Sequence, residues 1–160
     1  MSGNSVMSMG NAVIGVIGAG MADGSLLAIA EKVGRLIAMR KGILVCGGLG
    51  GVMEAAARGA KAAGGTTIGI LPQSDKSEAN PYIDVPIATG FGEGRNVIII
   101  RTADVLIAIG GEYGTLSEIA FGLKMGKPVI VVHSWNIKGV VRAKNAEEAV
   151  TKAFEQLEVA

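Results

Sequence analysis

The stretch IGGEYGTLSE, residues 109–118, ends an apolar run and begins a helical one, and it contains three glycines, Thr115 and Glu118. The backbone N–H groups of such a turn, together with the positive end of the helix that follows, can hold a phosphate. The same letters T-x-x-E also describe a capping box, in which Thr115 caps the helix and Glu118 bonds back to the threonine N–H. Helix statistics favour the capping box, and a phosphate cradle remains open as the alternative.

Arg95 stands at the start of another helix-like segment, after the glycine-rich stretch TGFGEG. A cation at this place opposes the dipole of the helix, so an ordinary surface position explains it poorly. An arginine beside exposed amides is better explained if it holds an anion. Glu112 argues in the opposite direction, because a carboxylate beside a phosphate cradle repels the ligand unless it points away or pairs with a cation.

The elements that must position these residues follow from apolar runs that alternate with helical patterns. We predict strands at 12–18, 42–48, 66–71, 85–89, 104–109 and 128–132, and helices at 25–40, 51–63, 95–103, 115–126 and 145–157. Asn145 is the expected N-cap of the last helix, with Glu148 three residues later. The order predicts an α/β fold, a Rossmann-like doubly wound three-layer sandwich with an all- or mostly parallel sheet of six to seven strands.

Four of these strands end in glycine-rich segments, GAGMADG, GGLGG, TGFGEG and GGEYGT. Ligands of a doubly wound fold bind at the carboxyl ends of the strands, so these segments should converge on one cleft that suits an anion. The first segment misses the spacing G-x-G-x-x-G, and no acidic residue follows the second strand, which disfavours a dinucleotide. The expected ligand-binding residues are Gly18, Gly20, Gly47, Gly48, Gly50, Gly51, Arg95, Asn96, Gly110, Gly111, Tyr113, Gly114 and Thr115.

Other residues are weaker candidates. His133, the only histidine, follows a strand, where a surface role is favoured over acid–base chemistry. Cys46 has no flanking cation that would lower the pKa of its thiol, so buried packing is favoured. Tyr82, in the long polar loop 72–84, and Tyr113 either stack on a base or merely cover the cleft. The sequence shows no metal-ligand spacing.

Length and composition limit the number of domains and the kinds of partner that can be expected. The 160 residues suffice for one domain, of which residues 1–11 are expected to be flexible. The formal net charge is +1, which gives no reason to expect a nucleic-acid partner. No apolar stretch approaches the length of a membrane span, so no membrane partner is expected. A single cysteine and the absence of a signal-peptide pattern make the cytoplasm the expected location.

At these residues the sequence resembles the signature of Lonely Guy-type phosphoribohydrolases, a group long misnamed lysine decarboxylases. Residues 92–118 are similar, without gaps, to their pattern M-H-x-R-K, a helix, a strand and P-G-G-x-G-T-x-x-E. The segments CGGLGGVMEA, GILPQ…ANPY and GGEYGTLSEIA resemble most closely the molybdenum cofactor carrier-like branch of the superfamily. The resemblance extends from about Val13 to Val132.

By position, the resemblance makes Arg95 and Glu118 the pair implicated in cleaving the N-glycosidic bond of a nucleoside 5′-monophosphate. It also makes Gly111, Gly114 and Thr115 the phosphate loop. The chain departs from the hydrolase pattern at Gly92, Glu93, Asn96, Gly110 and Glu112. The arginine and the glutamate are kept while their basic surroundings are lost, which favours retention of the phosphate site over retention of the hydrolase activity.

Three functions are therefore open. The first is a carrier-type protein that requires no cofactor of its own and holds a small phosphorylated ligand, the molybdenum cofactor or a nucleotide, with Arg95 on the phosphate. The second is a phosphoribohydrolase, in which Glu118 stabilises the oxocarbenium-like ribosyl centre or orients water. The third is a structural or regulatory oligomer without ligand chemistry. The resemblance also implies a homodimer or homotetramer with the cleft near the subunit interface, whereas lysine decarboxylation has no support in the sequence.

Overall fold

The β-branched and aliphatic runs of the sequence form the strands of a single sheet. The computed structural model describes residues 12–159, with side chains to residue 158, so the flexibility predicted for residues 1–11 lies outside the described residues. The elements are β1 Val13–Gly18, α1 Gly24–Met39, β2 Ile43–Cys46, α2 Val52–Ala62, β3 Thr66–Leu71, β4 Val85–Ala88, α3 Arg95–Thr102, β5 Val105–Ile109, α4 Tyr113–Lys124, β6 Val129–Val132, β7 Val141–Ala143 and α5 Ala146–Val159. Short 3-10 turns cover Lys76–Glu78 and Gly92–Gly94.

The seven strands lie in the order β4-β3-β2-β1-β5-β6-β7, and every neighbouring pair is parallel. The chain moves outward from β1 to β4, returns to the middle with β5 and then moves outward the other way. Strand order therefore switches between β1 and β5, where Gly18 is the register partner of Ile109. The predicted Rossmann-like sheet is confirmed, and a doubly wound fold places its ligand cleft at this switch point.

Both faces of the sheet are covered. One core joins the sheet to α1, α2 and α5, and the other joins it to α3 and α4. All five residues of β5 are buried, which explains why that strand is a continuous apolar run rather than an alternating one. Helices α1 and α2 approach closely, because a Cβ on Gly34 would overlap the carbonyl oxygen of Ala56. No helix between residues 12 and 159 has the length and apolar character that crossing a membrane requires.

Two details at the edge of the sheet concern the end of the chain. Strand β7 was not among the six predicted runs, because its three residues are partly exposed and too few to show a periodic pattern.

The predicted N-cap of the last helix is confirmed, since the Glu148 N–H donates to Asn145 Oδ1 at 2.9 Å. The Glu148 carboxylate accepts from the Lys144 N–H rather than from the N-cap residue, so the capping box is incomplete.

Candidate functional site

The loop between β5 and α4 turns sharply at Gly110 and Gly111, whose φ angles are 58° and 99°. These left-handed conformations favour glycine, and they let the chain enter α4 at Tyr113. Glu112 occupies the N-cap position, but its side chain makes no capping hydrogen bond. The first N–H groups of α4 have no partner within the helix, so they are available to an anion from outside.

The capping box predicted for Thr115 and Glu118 is wrong. Because α4 begins at Tyr113, Thr115 already lies in its first turn, buried with 3% of its surface exposed. Its side chain packs directly over Gly111, where a Cβ would overlap it. Glu118 lies a turn further along the helix and faces a cavity instead of the helix end. The two left-handed glycines, which the T-x-x-E pattern does not include, account for the earlier helix start.

Arg95 is the first residue of α3 and is half-buried against the backbone of Gly47. Its Nη2 is 3.5 Å from the Gly47 carbonyl oxygen, and its Nη1 donates to Asn96 Oδ1. Its Nε is buried and has no hydrogen-bond partner among the described residues. A buried donor without an acceptor costs about 1–3 kcal/mol, so the protein keeps this N–H group at some expense to its stability. Burial lowers the pKa of Arg95, and the charge of Glu118 acts against that shift.

Glu118 and Arg95 line the same cavity, of about 150 Å³, at the carboxyl ends of β1 and β2. The remaining walls come from Val16, Ile17, Gly18, Gly47, Met53 and Ile99. Burial raises the pKa of Glu118 to about 7, and the positive charge of Arg95 acts in the opposite direction. In the described part of the chain neither residue takes part in an ion pair. The guanidinium of Arg95 and the carboxyl group of Glu118 therefore both face this cavity without an ion-pair partner, and a ligand could contact both.

A second cavity, of about 340 Å³, lies between α3 and α4 and shares Glu118 with the first. Apolar side chains form part of its wall: Val97, Ile100 and Phe121. Polar groups form the rest: Glu93, Asn96 and Ser117, beside Gly114. Both cavities reach the Glu118 side chain, and we call the two together the strand-end cleft.

The predicted glycines fall into two groups by what surrounds them. At Gly20 and Gly114 an added Cβ would meet no atom within 4 Å, and at Gly50 it would meet only the Gly20 carbonyl oxygen at 3.5 Å. The others are required by packing or backbone conformation: Gly18, Gly47, Gly48, Gly51, Gly110 and Gly111. The loops after β1 and β2 also touch each other, because the Val52 N–H donates to the Ala19 carbonyl oxygen at 3.1 Å.

Ser134 and Trp135, which follow β6 and were not among the candidate residues, hold the loop at the start of α4. The Ser134 hydroxyl donates to the Gly110 carbonyl oxygen at 2.5 Å, and the Trp135 indole N–H donates to the Glu112 carbonyl oxygen at 3.1 Å. The ring of Trp135 stacks on Tyr113, with 5.9 Å between the ring centroids. Tyr113 is 78% exposed at the edge of the cleft. The residues HSWN directly after a strand were the available signal, because a segment at the carboxyl end of a parallel strand borders the cleft.

Tyr82, the second tyrosine considered, does not lie at the strand ends. Its carbonyl oxygen accepts from the Thr67 hydroxyl at the beginning of β3, and its ring contacts the Arg58 guanidinium. Both contacts place Tyr82 at the amino-terminal edge of the sheet. The prediction that Tyr82 stacks on a base or covers the cleft is therefore wrong.

Asn80 fastens the long loop 72–84 to the glycine loop after β2. Its Nδ2 donates to the Leu49 carbonyl oxygen at 2.8 Å, and its backbone N–H donates to the Gly48 carbonyl oxygen at 2.9 Å. Its Oδ1 accepts from the Tyr82 N–H, and the residue is only 8% exposed. Asn80 thus holds the loop that follows Gly47, a residue of the cleft wall. This role depends on tertiary contacts and has no local sequence signal.

Cys46 and His133 lie near the strand ends without joining the strand-end cleft. Burial raises the pKa of the Cys46 thiol to about 11, which leaves it unreactive and fits the predicted packing role. His133 is exposed after β6 and has a left-handed φ of 48°. Among the described residues no group of three or more His, Cys, Asp or Glu side chains is arranged to hold a metal ion.

An all-parallel doubly wound sheet with glycine loops, an arginine and a half-buried carboxyl group at its switch point defines a Rossmann-like α/β protein with a cleft at its strand ends. The model of the SLOG cluster4 family matches residues 11–159, and the chain belongs to this family. The predicted place in the Lonely Guy superfamily, on its molybdenum cofactor carrier-like branch, is confirmed.

Three known proteins illustrate the relationship. The molybdenum cofactor binding protein of Rippkaea orientalis is 37% identical with a TM-score of 0.88, over 92% of this chain and 98% of that one. The molybdenum cofactor carrier protein of Chlamydomonas reinhardtii is 36% identical with a TM-score of 0.85, over 94% and 100%. The cytokinin riboside 5′-monophosphate phosphoribohydrolase of Mycobacterium tuberculosis is 35% identical over 120 residues, which are 69% of this chain and 64% of that protein.

Proposed function

We propose that this protein is a carrier-type binding protein that holds a phosphorylated, nucleotide- or pterin-like ligand in the strand-end cleft without cleaving it. The observation that carries the proposal is the buried Nε of Arg95, a donor without a partner in the described residues, beside a cavity at the switch point of the sheet. An anionic oxygen of the ligand supplies the missing acceptor.

In this proposal the phosphate lies at the start of α4. The N–H groups of Gly111, Gly114 and Thr115 bind its oxygens, and the dipole of the helix adds to the attraction. Arg95 binds the same group from the side of β2, where a planar guanidinium can hold two oxygens at once. Gly20 and Gly50 leave open space on the opposite wall, which allows the ligand to approach the backbone.

The cavity between α3 and α4 is the proposed place of the ring system. Its volume of about 340 Å³ is at the lower end of the range for small-molecule sites. Val97, Ile100 and Phe121 offer apolar surface to a flat ring, and Asn96 and Ser117 offer hydrogen bonds to its edge. The molybdenum cofactor and a purine nucleotide both combine a flat ring with a phosphate, so both fit the proposal as cargo.

Glu118 suits a carrier because its pKa lies near neutrality. A protonated carboxyl group donates a hydrogen bond to an anionic oxygen, whereas the ionised group would repel it. A bound anion raises the pKa of Glu118 further and so favours the protonated form. Binding is then coupled to the uptake of a proton at this carboxyl group.

The second candidate function is nucleoside 5′-monophosphate phosphoribohydrolase. Arg95 and Glu118 share one cavity, and a relative that matches over two thirds of this chain is named for this activity. In a hydrolase the ionised Glu118 would stabilise the oxocarbenium-like ribosyl centre or orient the attacking water, and Arg95 would orient the ribose phosphate. The carrier is preferred because Glu93, Asn96 and Glu112 depart from the hydrolase pattern and because the carrier relatives match nearly end to end.

One incubation separates the two functions. The purified protein is mixed with AMP and a panel of other nucleoside 5′-monophosphates, and binding is followed by calorimetry while free base is measured by chromatography. A carrier binds at least one phosphorylated ligand and releases no base from any of them. Release of base that disappears in Glu118→Gln would establish the hydrolase instead.

We also propose that the protein works in the cytoplasm as a homodimer or homotetramer, with neither nucleic acid nor membrane as a partner. Two exposed apolar side chains near the cleft, Phe91 and Val97, support an association in this region. Sedimentation that shows only the monomer at micromolar concentration would contradict the assembly.

A further inference from the structure

A second cleft opens at the carboxyl ends of β6 and β7, at the edge of the sheet. Its volume is about 570 Å³, and we call it the edge cleft. Its polar lining comes from His133, Ser134, Asn136, Arg142, Lys144 and Glu148. None of these residues lines the strand-end cleft, so the two clefts have separate polar groups.

The edge cleft carries an excess of positive charge. Arg142 on β7 is the register partner of Val131 on β6, and Lys144 follows two residues later. In the described part of the chain neither cationic side chain takes part in an ion pair. The start of α5, at Ala146, lies close by in the chain and adds the positive end of a helix dipole.

The single carboxylate of the lining is already neutralised inside the protein. Oε1 of Glu148 accepts a hydrogen bond from Lys152 Nζ at 2.9 Å and another from the Lys144 N–H. The bond from Lys152 lowers the pKa of Glu148, so this group stays ionised and paired. The charge of Lys144 also acts on Glu148, but neither Arg142 nor Lys144 forms an ion pair with it, so both cations can bind a group from outside.

We propose that the edge cleft binds a small anion that carries phosphoryl groups, either inorganic pyrophosphate or the diphosphate of an organic molecule. The guanidinium fork of Arg142 matches two phosphate oxygens, and the ammonium of Lys144 acts as a point charge. Asn136 supplies a neutral hydrogen-bond donor at the same place, whereas the single hydroxyl proton of Ser134 is already donated to the Gly110 carbonyl oxygen. The cleft is large enough for two phosphoryl groups and part of a further substituent.

The edge cleft is joined to the phosphate loop of the strand-end cleft through one segment. Ser134 and Trp135 hold the carbonyl oxygens of Gly110 and Glu112, while His133 and Ser134 line the edge cleft. Binding in the edge cleft does not depend on Arg95, so this inference stands apart from the proposed function.

The experiment uses His133, the single histidine of the chain, as its reporter. The imidazole C–H resonances of the full-length protein are followed by NMR while inorganic pyrophosphate is added, and ADP is added in a parallel titration at matched ionic strength. We expect a saturable shift in at least one titration, and the comparison distinguishes a free polyphosphate from the tail of an organic ligand. Arg142→Gln and Lys144→Gln should each weaken the apparent affinity roughly tenfold, because each removes a charge-assisted hydrogen bond.

Matched controls lie elsewhere in the chain. Arg101→Gln at the end of α3 and Lys124→Gln at the end of α4 remove the same charges at the amino-terminal edge of the sheet, and they should leave the titration unchanged. Arg95→Gln should leave the pyrophosphate titration unchanged, which separates this site from the strand-end cleft; in the ADP titration it removes only binding at the strand-end cleft. Circular dichroism confirms that each variant is folded. A pyrophosphate-induced shift that grows linearly with ligand concentration instead of saturating would overturn the proposal. So would a shift that survives Arg142→Gln but is lost in Arg95→Gln.

Discussion

Arg95 and Glu118 line one cavity of about 150 Å³ at the switch point of the sheet, although they form no ion pair with each other. A direct pair would satisfy both groups and would close the cavity. Their separation instead leaves a buried N–H donor and a carboxyl group with a raised pKa facing the same space. Unfavourable burial of this kind concentrates at functional sites, where a ligand completes the arrangement.

The first prediction concerns Glu118→Gln and pH. The pKa of Glu118 is about 7 in the folded protein, above its ordinary value of 4.5. Between pH 4.5 and pH 7 the folded protein keeps a proton that the unfolded chain has lost, so stability falls as the pH rises through this window, by roughly 3 kcal/mol in total. Glutamine does not titrate. Urea unfolding should therefore show equal stabilities below pH 4.5 and a variant that is more stable at pH 8.

A companion variant checks the cause of this difference. Arg95→Gln removes the positive charge that holds the pKa of Glu118 down, so the falling part of the stability curve should extend to higher pH. Identical pH profiles for the wild type and Glu118→Gln would show that Glu118 is not buried as described.

The second prediction compares two glycines of the same helix. A Cβ on Gly114 would meet nothing within 4 Å, so Gly114→Ala should raise the free energy of unfolding by up to about 1 kcal/mol through helix propensity. The methyl group would occupy the proposed place of the phosphate, and affinity for phosphorylated ligands should fall. The control is Gly122→Ala, where the methyl group would lie 2.6 Å from Leu106 Cδ1 and should destabilise by about 1–3 kcal/mol. Thermal unfolding measures the stability of each variant, and calorimetry measures its affinity for the ligand. A destabilised Gly114→Ala would contradict the finding that a Cβ at this position has free space around it.

The third prediction concerns the long loop. Asn80→Ala removes the side-chain hydrogen bonds to the Leu49 carbonyl oxygen and from the Tyr82 N–H, and it leaves these half-buried groups without that partner. We expect a loss of about 1–3 kcal/mol and faster proteolysis within residues 72–84. Asn136→Ala, at an exposed position, is the control and should change neither. Equal proteolysis of the two variants would mean that Asn80 does not anchor the loop.

Much of this fold could be predicted because its determinants are local. Buried parallel strands are continuous apolar runs, and glycine after a strand marks the edge where the chain turns. Arg95 at a helix start was informative for the same reason, since its conflict with the dipole can be seen from its position alone.

The rest depends on conformation and on distant contacts. Whether Thr115 caps α4 is decided by the left-handed turn at Gly110 and Gly111, which T-x-x-E does not encode. Asn80, Ser134 and Trp135 act on residues more than twenty positions away, so no spacing reveals them. The burial of Glu118 arises only when α3 and α4 pack on the sheet beside each other.

The most direct test of the account is native mass spectrometry of the protein as purified from cells. The account predicts that the wild type carries a small phosphorus-containing molecule, that Arg101→Gln carries the same molecule, and that Arg95→Gln has lost it. The reason is that Arg95, unlike Arg101, holds a buried side-chain N–H donor without a partner among the described residues. All three proteins should be equally folded by circular dichroism. An Arg95→Gln variant that retains the ligand at the wild-type level, or a wild type without any bound small molecule, would contradict the claim that Arg95 holds a phosphorylated ligand in the strand-end cleft.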